Sequence, residues 1–232
     1  MNVESVIERF RRWQTTRVLA FGSSNTERRV SGMHWFDGFE LAVVQTHGRM
    51  IRCVNTGVGG NTTRELLARF EDDAAFYRPH LAFVTIGGND ANPERAMDAA
   101  EFERNLRDIH RRFDALGCAV VFQTYYAPDP AQVGAAHLAA FRENMETVRR
   151  TAAACGADLI DHLRRWEPFR RAHPAVYAGL MIDGFHVSAR GNLVMALDIA
   201  RHFGLQLGAD DPGFWREARE IHRLMDARAS AA

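Results

Sequence analysis

The 232 residues balance 29 Lys plus Arg against 29 Asp plus Glu, so total charge offers nothing to hold nucleic acid or an anionic membrane surface, and the length suits one α/β domain with a sizeable core. Cys53, Cys118 and Cys155 are odd in number, widely spaced and free of any CxxC pair, which argues against a disulfide framework and for buried thiols in a reducing compartment. The first residues hold two Glu and no apolar core of signal-peptide length, and no apolar run approaches a membrane span, so a soluble, cytoplasmic chain folded as a single domain over 1–232 is expected.

Val3, Val6, Ile7 and Phe10 fall at helical spacing and predict an amphipathic helix over about 2–13. Val18 to Phe21 read as a buried central strand that stops at Gly22 and the polar cluster Ser23, Ser24, Asn25 and Thr26. Residues 27–36 are polar and irregular, Asp37 to His47 read as a helix, and Met50 to Val54 as a strand. A Gly-rich turn, Asn55 to Thr62, then opens a helix with Leu66, Leu67 and Phe70 on its apolar face. This is not a P-loop, which needs a Lys before its hydroxyl residue, and the dinucleotide fingerprint would need glycine where Thr62 stands. What remains is backbone N–H groups at a helix N-terminus, a good place for developing negative charge.

Leu81 to Ile86 form the next buried strand, which ends in Gly87-Gly88-Asn89-Asp90. Phe102, Leu106, Ile109 and Phe113 mark a helix, Cys118 to Phe122 a strand, Leu138 to Ala152 a long helix and Ala157 to Ile160 a last short strand. Strands and helices alternating in this way predict a doubly wound parallel sheet with helices on both faces. Residues 163–182, with Pro168 and Pro174, read as a long loop leading to Asp183-Gly-Phe-His186. A helix over Ala189 to Phe203 follows, and an amphipathic one over about 212–228 either packs on the domain or pairs with a second copy.

In open parallel sheets ligands bind beyond the carboxyl ends of the strands. Three such ends carry Ser24, Gly60 and Asn89, and a loop carries Asp183 and His186. Ester cleavage needs a nucleophile, a base, a group to orient the base, and donors aimed at the oxyanion, and residue types for all four are present. No HExxH or other useful histidine spacing suggests a metal, and no cofactor is expected.

These blocks resemble the SGNH, or GDSL-type, hydrolases. GSS at 22–24 is similar to the GDS block, GVGGNT at 57–62 to the second block, GGND at 87–90 matches the third, and DGFH at 183–186 matches the DxxH block. The resemblance implies a flavodoxin-like α/β/α sandwich of about five strands. It also implies Ser24 as nucleophile, His186 as base and then acid, Asp183 as its orienter, and Ser24 N–H, Gly60 N–H and the Asn89 amide as oxyanion donors. One departure is Ser23, which stands where the family has an aspartate supporting the nucleophile turn; its hydroxyl is expected to bond within the loop. The ordinary α/β-hydrolase elbow fits less well, because it needs glycine where Thr26 stands.

The expected function is therefore cleavage of a small-molecule carboxylic ester through an acyl-enzyme. Acyl transfer to an alcohol by the same residues, or a non-catalytic binding domain made thinkable by Ser23, are the alternatives. Segments 26–37, 125–137 and 163–182 are read as the rim of the site, with Trp35, Tyr125, Tyr126, Trp166 and Tyr177 and no long aliphatic run. They predict a short acyl group and a polar, sugar-like alcohol.

Overall fold

The computed structural model describes residues 2–229. Five strands, β1 (Thr16–Gly22), β2 (Ile51–Asn55), β3 (Leu81–Thr85), β4 (Ala119–Gln123) and β5 (Asp158–Ile160), form one sheet in the order β2-β1-β3-β4-β5. Every pairing is parallel, with Ala20 opposite Asn55, Gly22 opposite Thr85, and Thr85 opposite Gln123. Because β2 lies on one side of β1 and β3 on the other, the chain reverses direction across the sheet at β1. The crevice of such a fold opens at the carboxyl ends of the strands flanking that reversal.

The helices are α1 (Val3–Arg11), α2 (Trp35–His47), α3 (Thr63–Ala68), α4 (Phe70–Asp73), α5 (Ala99–Ala115), α6 (Ala135–Cys155), α7 (His162–Ala172), α8 (Pro174–Ala178), α9 (Ala189–His202) and α10 (Arg216–Ala229). Contacts of α2 with α9 and of α9 with α10 build one layer, and those of α5 with α3 and α6 build the other. Adjacent strand residues feed opposite layers. Phe83 meets Phe39 at 4.9 Å and Trp35 at 5.7 Å between ring centres, whereas Phe21 meets Phe70 and Phe113, themselves 4.8 Å apart. All six rings are buried, each contributing about 1.5–3 kcal/mol. With both faces covered, β3 and β4 are buried at every position, which is why they read as unbroken apolar runs.

Two expectations are corrected here. Residues 163–182 are mostly helical: α7 starts at the Asp161 cap, which accepts from Arg164 N–H, and buries Leu163, Trp166 and Phe169 at three-residue spacing. Pro174 is tolerated because it opens α8, where no N–H is needed, and Pro168 lies inside α7, held there by that buried face. The five aromatic residues assigned to the rim are core residues instead, none more than 3% exposed.

The C-terminal helix packs on the domain. Trp215, Ala218, Ile221 and Met225 are buried where α10 meets α7 and α9, while Phe214 stays exposed. Cys118 is buried, whereas Cys53 and Cys155 are only partly so, and all three are free thiols. Among the described residues no helix is long and apolar enough to cross a membrane.

Candidate active site

The turn after β1 presents two serines in opposite surroundings. Ser23 is fully buried, and its Oγ lies 3.1 Å from the Tyr125 hydroxyl, a partner beyond β4 and not within the loop as expected. Ser24 points into the cleft, its Oγ 2.8 Å from His186 Nε2. The other ring nitrogen of His186, Nδ1, is 2.7 Å from Asp183 Oδ2. Asp183 also accepts at Oδ1 from the N–H groups of Phe185 and His186, both at 2.8 Å. Burial pushes the Asp183 carboxyl up, but these N–H donors and the imidazole outweigh it and hold the group below its ordinary value.

Arg29, which carried no signal in the sequence, places Nη1 3.1 Å from His186 Nε2. A guanidinium only donates, so Nε2 presents its lone pair and the ring proton sits on Nδ1, facing Asp183. A hydroxyl, an imidazole in that tautomer and a carboxylate in one line are competent to activate an alcohol as a nucleophile.

The turn after β2 is drawn over the end of β1 by backbone bonds from Thr56 N–H to Ala20 O and from Val58 N–H to Gly22 O. Gly57 is required there: a Cβ would lie 2.3 Å from Glu27 N and 2.5 Å from Thr26 C, both backbone atoms. Gly60 has φ +81°, a left-handed conformation. Arg69, a second residue that gave no signal, donates to Gly22 O, Thr56 O and Asn61 Oδ1 at 2.7–3.0 Å and stacks over the Phe21 ring. The N–H groups of Ser24 and Gly60 donate to no other group among the described residues. Asn89 Nδ2 donates to Asn61 O at 2.8 Å, which uses one of its two protons and leaves the other.

Asp90, beside Asn89, clamps the start of α3. One oxygen accepts from both the N–H and the hydroxyl of Thr63 at 2.8 Å, and the other is buried with no hydrogen-bond partner among the described residues. Burial pushes its carboxyl up to about 6, against the opposing effect of the two Thr63 donors. Between its ordinary value and about 6 the native chain holds this proton more tightly than the unfolded chain does. Stability from this group therefore falls as pH rises through that window and is level above it, a swing of about 3 kcal/mol. Asp90→Asn keeps the acceptor and loses the charge. Urea unfolding is expected to show the variant gaining about 2–3 kcal/mol relative to the parent between pH 4 and pH 7.5. An equal difference at both pH values would show that Asp90 does not titrate in that range.

The space beside Ser24 is a cavity of about 20 Å³ lined by Asn25, Arg29, Val30, His34, Ile182 and Val187, among others. A roomier one of about 700 Å³ lies between β5, α7 and α9 and shares none of its lining residues with Ser24. Among the described residues no group of three His, Cys, Asp or Glu side chains is gathered to hold a metal.

The fold is shared with solved esterases. An acetylxylan esterase from Geobacillus stearothermophilus superposes with a TM-score of 0.71 at 20% identity over 83% of this chain and 96% of that one. An enzyme from the metagenome of Lake Arreo, described as an alpha/beta hydrolase, gives 0.71 at 22% identity over 82% and 96%. Structures of the Geobacillus enzyme include catalytic mutants at a serine, an aspartate and a histidine. In sequence, an acetylxylan esterase from the same organism is 25% identical over 169 residues, 67% of this chain and 74% of that protein. The fold is of the three-layer α/β/α class, and the family-model match over residues 20–194 makes the chain an ester hydrolase. With residues 20–194 matching the profile of the GDSL-like lipase/acylhydrolase family, the chain belongs to that family.

Proposed function

We propose that the protein hydrolyses short-chain carboxylic esters of a polar, sugar-like alcohol through an acyl-enzyme on Ser24. The observation that carries this reading is the Ser24–His186–Asp183 line, with contacts of 2.8 and 2.7 Å. His186 Nε2 takes the Ser24 proton as Oγ attacks the ester carbonyl. The oxyanion is received by the N–H groups of Ser24 and Gly60 and the free Asn89 N–H. His186 then gives its proton to the leaving alcohol; in the second half it takes a proton from the water that attacks the acyl carbon and returns it to Ser24 Oγ as the bond to the acid breaks. Asp183 holds the imidazole tautomer throughout. The relatives' catalytic aspartate and histidine, also three residues apart, support the same roles here.

The preference for a short acyl group no longer rests on rim aromatics, which are buried. It rests on the cavity of about 20 Å³ beside Ser24 and on the acetylxylan esterases among the relatives. Glu27, Arg29 and Arg95, the last donating to Gly60 O at 3.1 Å, surround the turns with polar groups suited to an alcohol rich in hydroxyls. A nitrophenyl ester series tests this reading, with kcat/KM expected to be highest for acetate and to fall steadily with chain length. A rate that climbs towards decanoate would overturn the short-acyl assignment.

A further inference from the structure

His186 meets Ser24 across 162 positions of sequence, and the loop that carries it is short. Asp183 fixes the inside of that loop, and the bond from Ile182 N–H to His186 O at 2.9 Å closes it on itself. Neither contact sets how far the loop stands from the Ser24 turn. That distance matters, because a displacement of about 1 Å between reacting groups can cost 100-fold in rate.

One buried atom touches both sides of the gap. The Tyr126 hydroxyl, at the carboxyl end of β4, bonds to Asn25 Oδ1, next to Ser24, and to Phe185 O, just before His186. It also accepts from Val187 N–H at 3.1 Å, just after His186. The hydroxyl has one proton, so it donates to one of the two oxygens at a time while the Val187 bond persists. Tyr126 is 1% exposed, and its ring is packed 5.5 Å from Trp166 and 6.2 Å from Tyr125, which leaves the phenol no room to swing. Burial also pushes the phenol pKa far up, so the proton stays in place at any working pH. Arg29 crosses the same gap from the solvent side, but its side chain is 47% exposed.

We propose that Tyr126 is a positioning residue for the ester-hydrolysis site: its hydroxyl sets the spacing of Ser24 and His186 by joining Asn25 to the backbone on both sides of the histidine. The inference rests on the reading of Ser24 and His186 as the reacting pair. Removing the hydroxyl leaves the ring and its packing, and frees the two turns to drift apart. Substrate binding, which uses other groups, stays as it was.

The test measures kcat per active site, counted by fluorophosphonate titration, so that a loss of folded protein is separated from a loss of rate. Tyr126→Phe is expected to lower kcat per titrated site about 10- to 100-fold, with KM within about twofold of the parent and adduct formation slowed in parallel. A purely structural role would lower the number of titratable sites and leave kcat per site unchanged. Asn25→Ala cuts the other end of the link and carries the test if Tyr126→Phe does not fold. The double variant isolates the link: it should lose little more than the worse single variant. Parental kcat per site in the folded Tyr126→Phe protein, or fully additive losses, would overturn the inference while a parent labelled on Ser24 stands. A parent that takes no label would overturn the reading of the site, and the inference with it.

Discussion

Ser24→Ala is expected to abolish fluorophosphonate labelling and to lower kcat by about six powers of ten, leaving only the rate that oxyanion donors and binding supply. Labelling is lost because no other hydroxyl among the described residues is held against the base. Ser23 stands one residue away, yet it is fully buried and is engaged with Tyr125 at 3.1 Å. Ser24 Oγ lies 2.8 Å from His186 Nε2. Ser23→Ala should therefore keep the label and lose far less rate. It removes one neutral hydrogen bond, of about 0.5–1.5 kcal/mol, that supports the turn in place of the family's carboxylate. Mass spectrometry of the trapped adduct checks the assignment. An adduct on Ser23 would move the reacting position by one residue, and the Ser24 N–H would lose its place as an oxyanion donor.

Asp183→Asn should leave the fold intact and lower kcat by about 10⁴-fold, with KM changed little. The carboxylate now accepts from three N–H groups, those of Phe185, His186 and the imidazole. An amide has one oxygen. If that oxygen keeps the two backbone donors, the NH₂ faces Nδ1 and favours the tautomer with the proton on Nε2, pointing at Ser24. An imidazole in that form cannot take the serine proton. The depressed pKa of Asp183 gives the pH corollary: the native carboxylate holds its charge to lower pH than an ordinary one, and any stability it contributes is lost as pH falls from the ordinary value through the lowered one. Parental turnover in a well-folded Asp183→Asn protein would remove Asp183 from the reaction.

The signals that could be read in the sequence are the ones a short stretch carries by itself. Apolar runs bounded by small polar residues mark β1, β3 and β4, because a strand covered on both faces needs no alternation. Apolar residues three and four apart mark α5 and α6. Ser24, Gly60, Asn89, Asp183 and His186 all stand in turns whose glycines and polar residues are local features, and parallel topology alone places three of those turns at one edge of the sheet. The reading failed at α7, where two prolines outweighed an apolar stripe, because proline reports on one backbone position and says little about whether the stripe has a partner to pack on.

What only the tertiary structure decided are the properties that belong to pairs of distant residues. An aromatic residue has the same sequence signature in a core and on a rim, and Trp35, Tyr125, Tyr126, Trp166 and Tyr177 are buried because of what packs over them. Nor can the sequence show that Tyr126 reaches Asn25, 101 positions earlier, and the backbone beside His186, 59 positions later. The same holds for Asp90 on Thr63 and Arg29 on His186. Composition and spacing determine which elements form and which turns carry chemistry, since those follow from backbone preference and the burial of apolar faces. Which side chain holds which turn in register depends on distances of a few ångströms between segments far apart in the chain, and these are set when the helices close on the sheet.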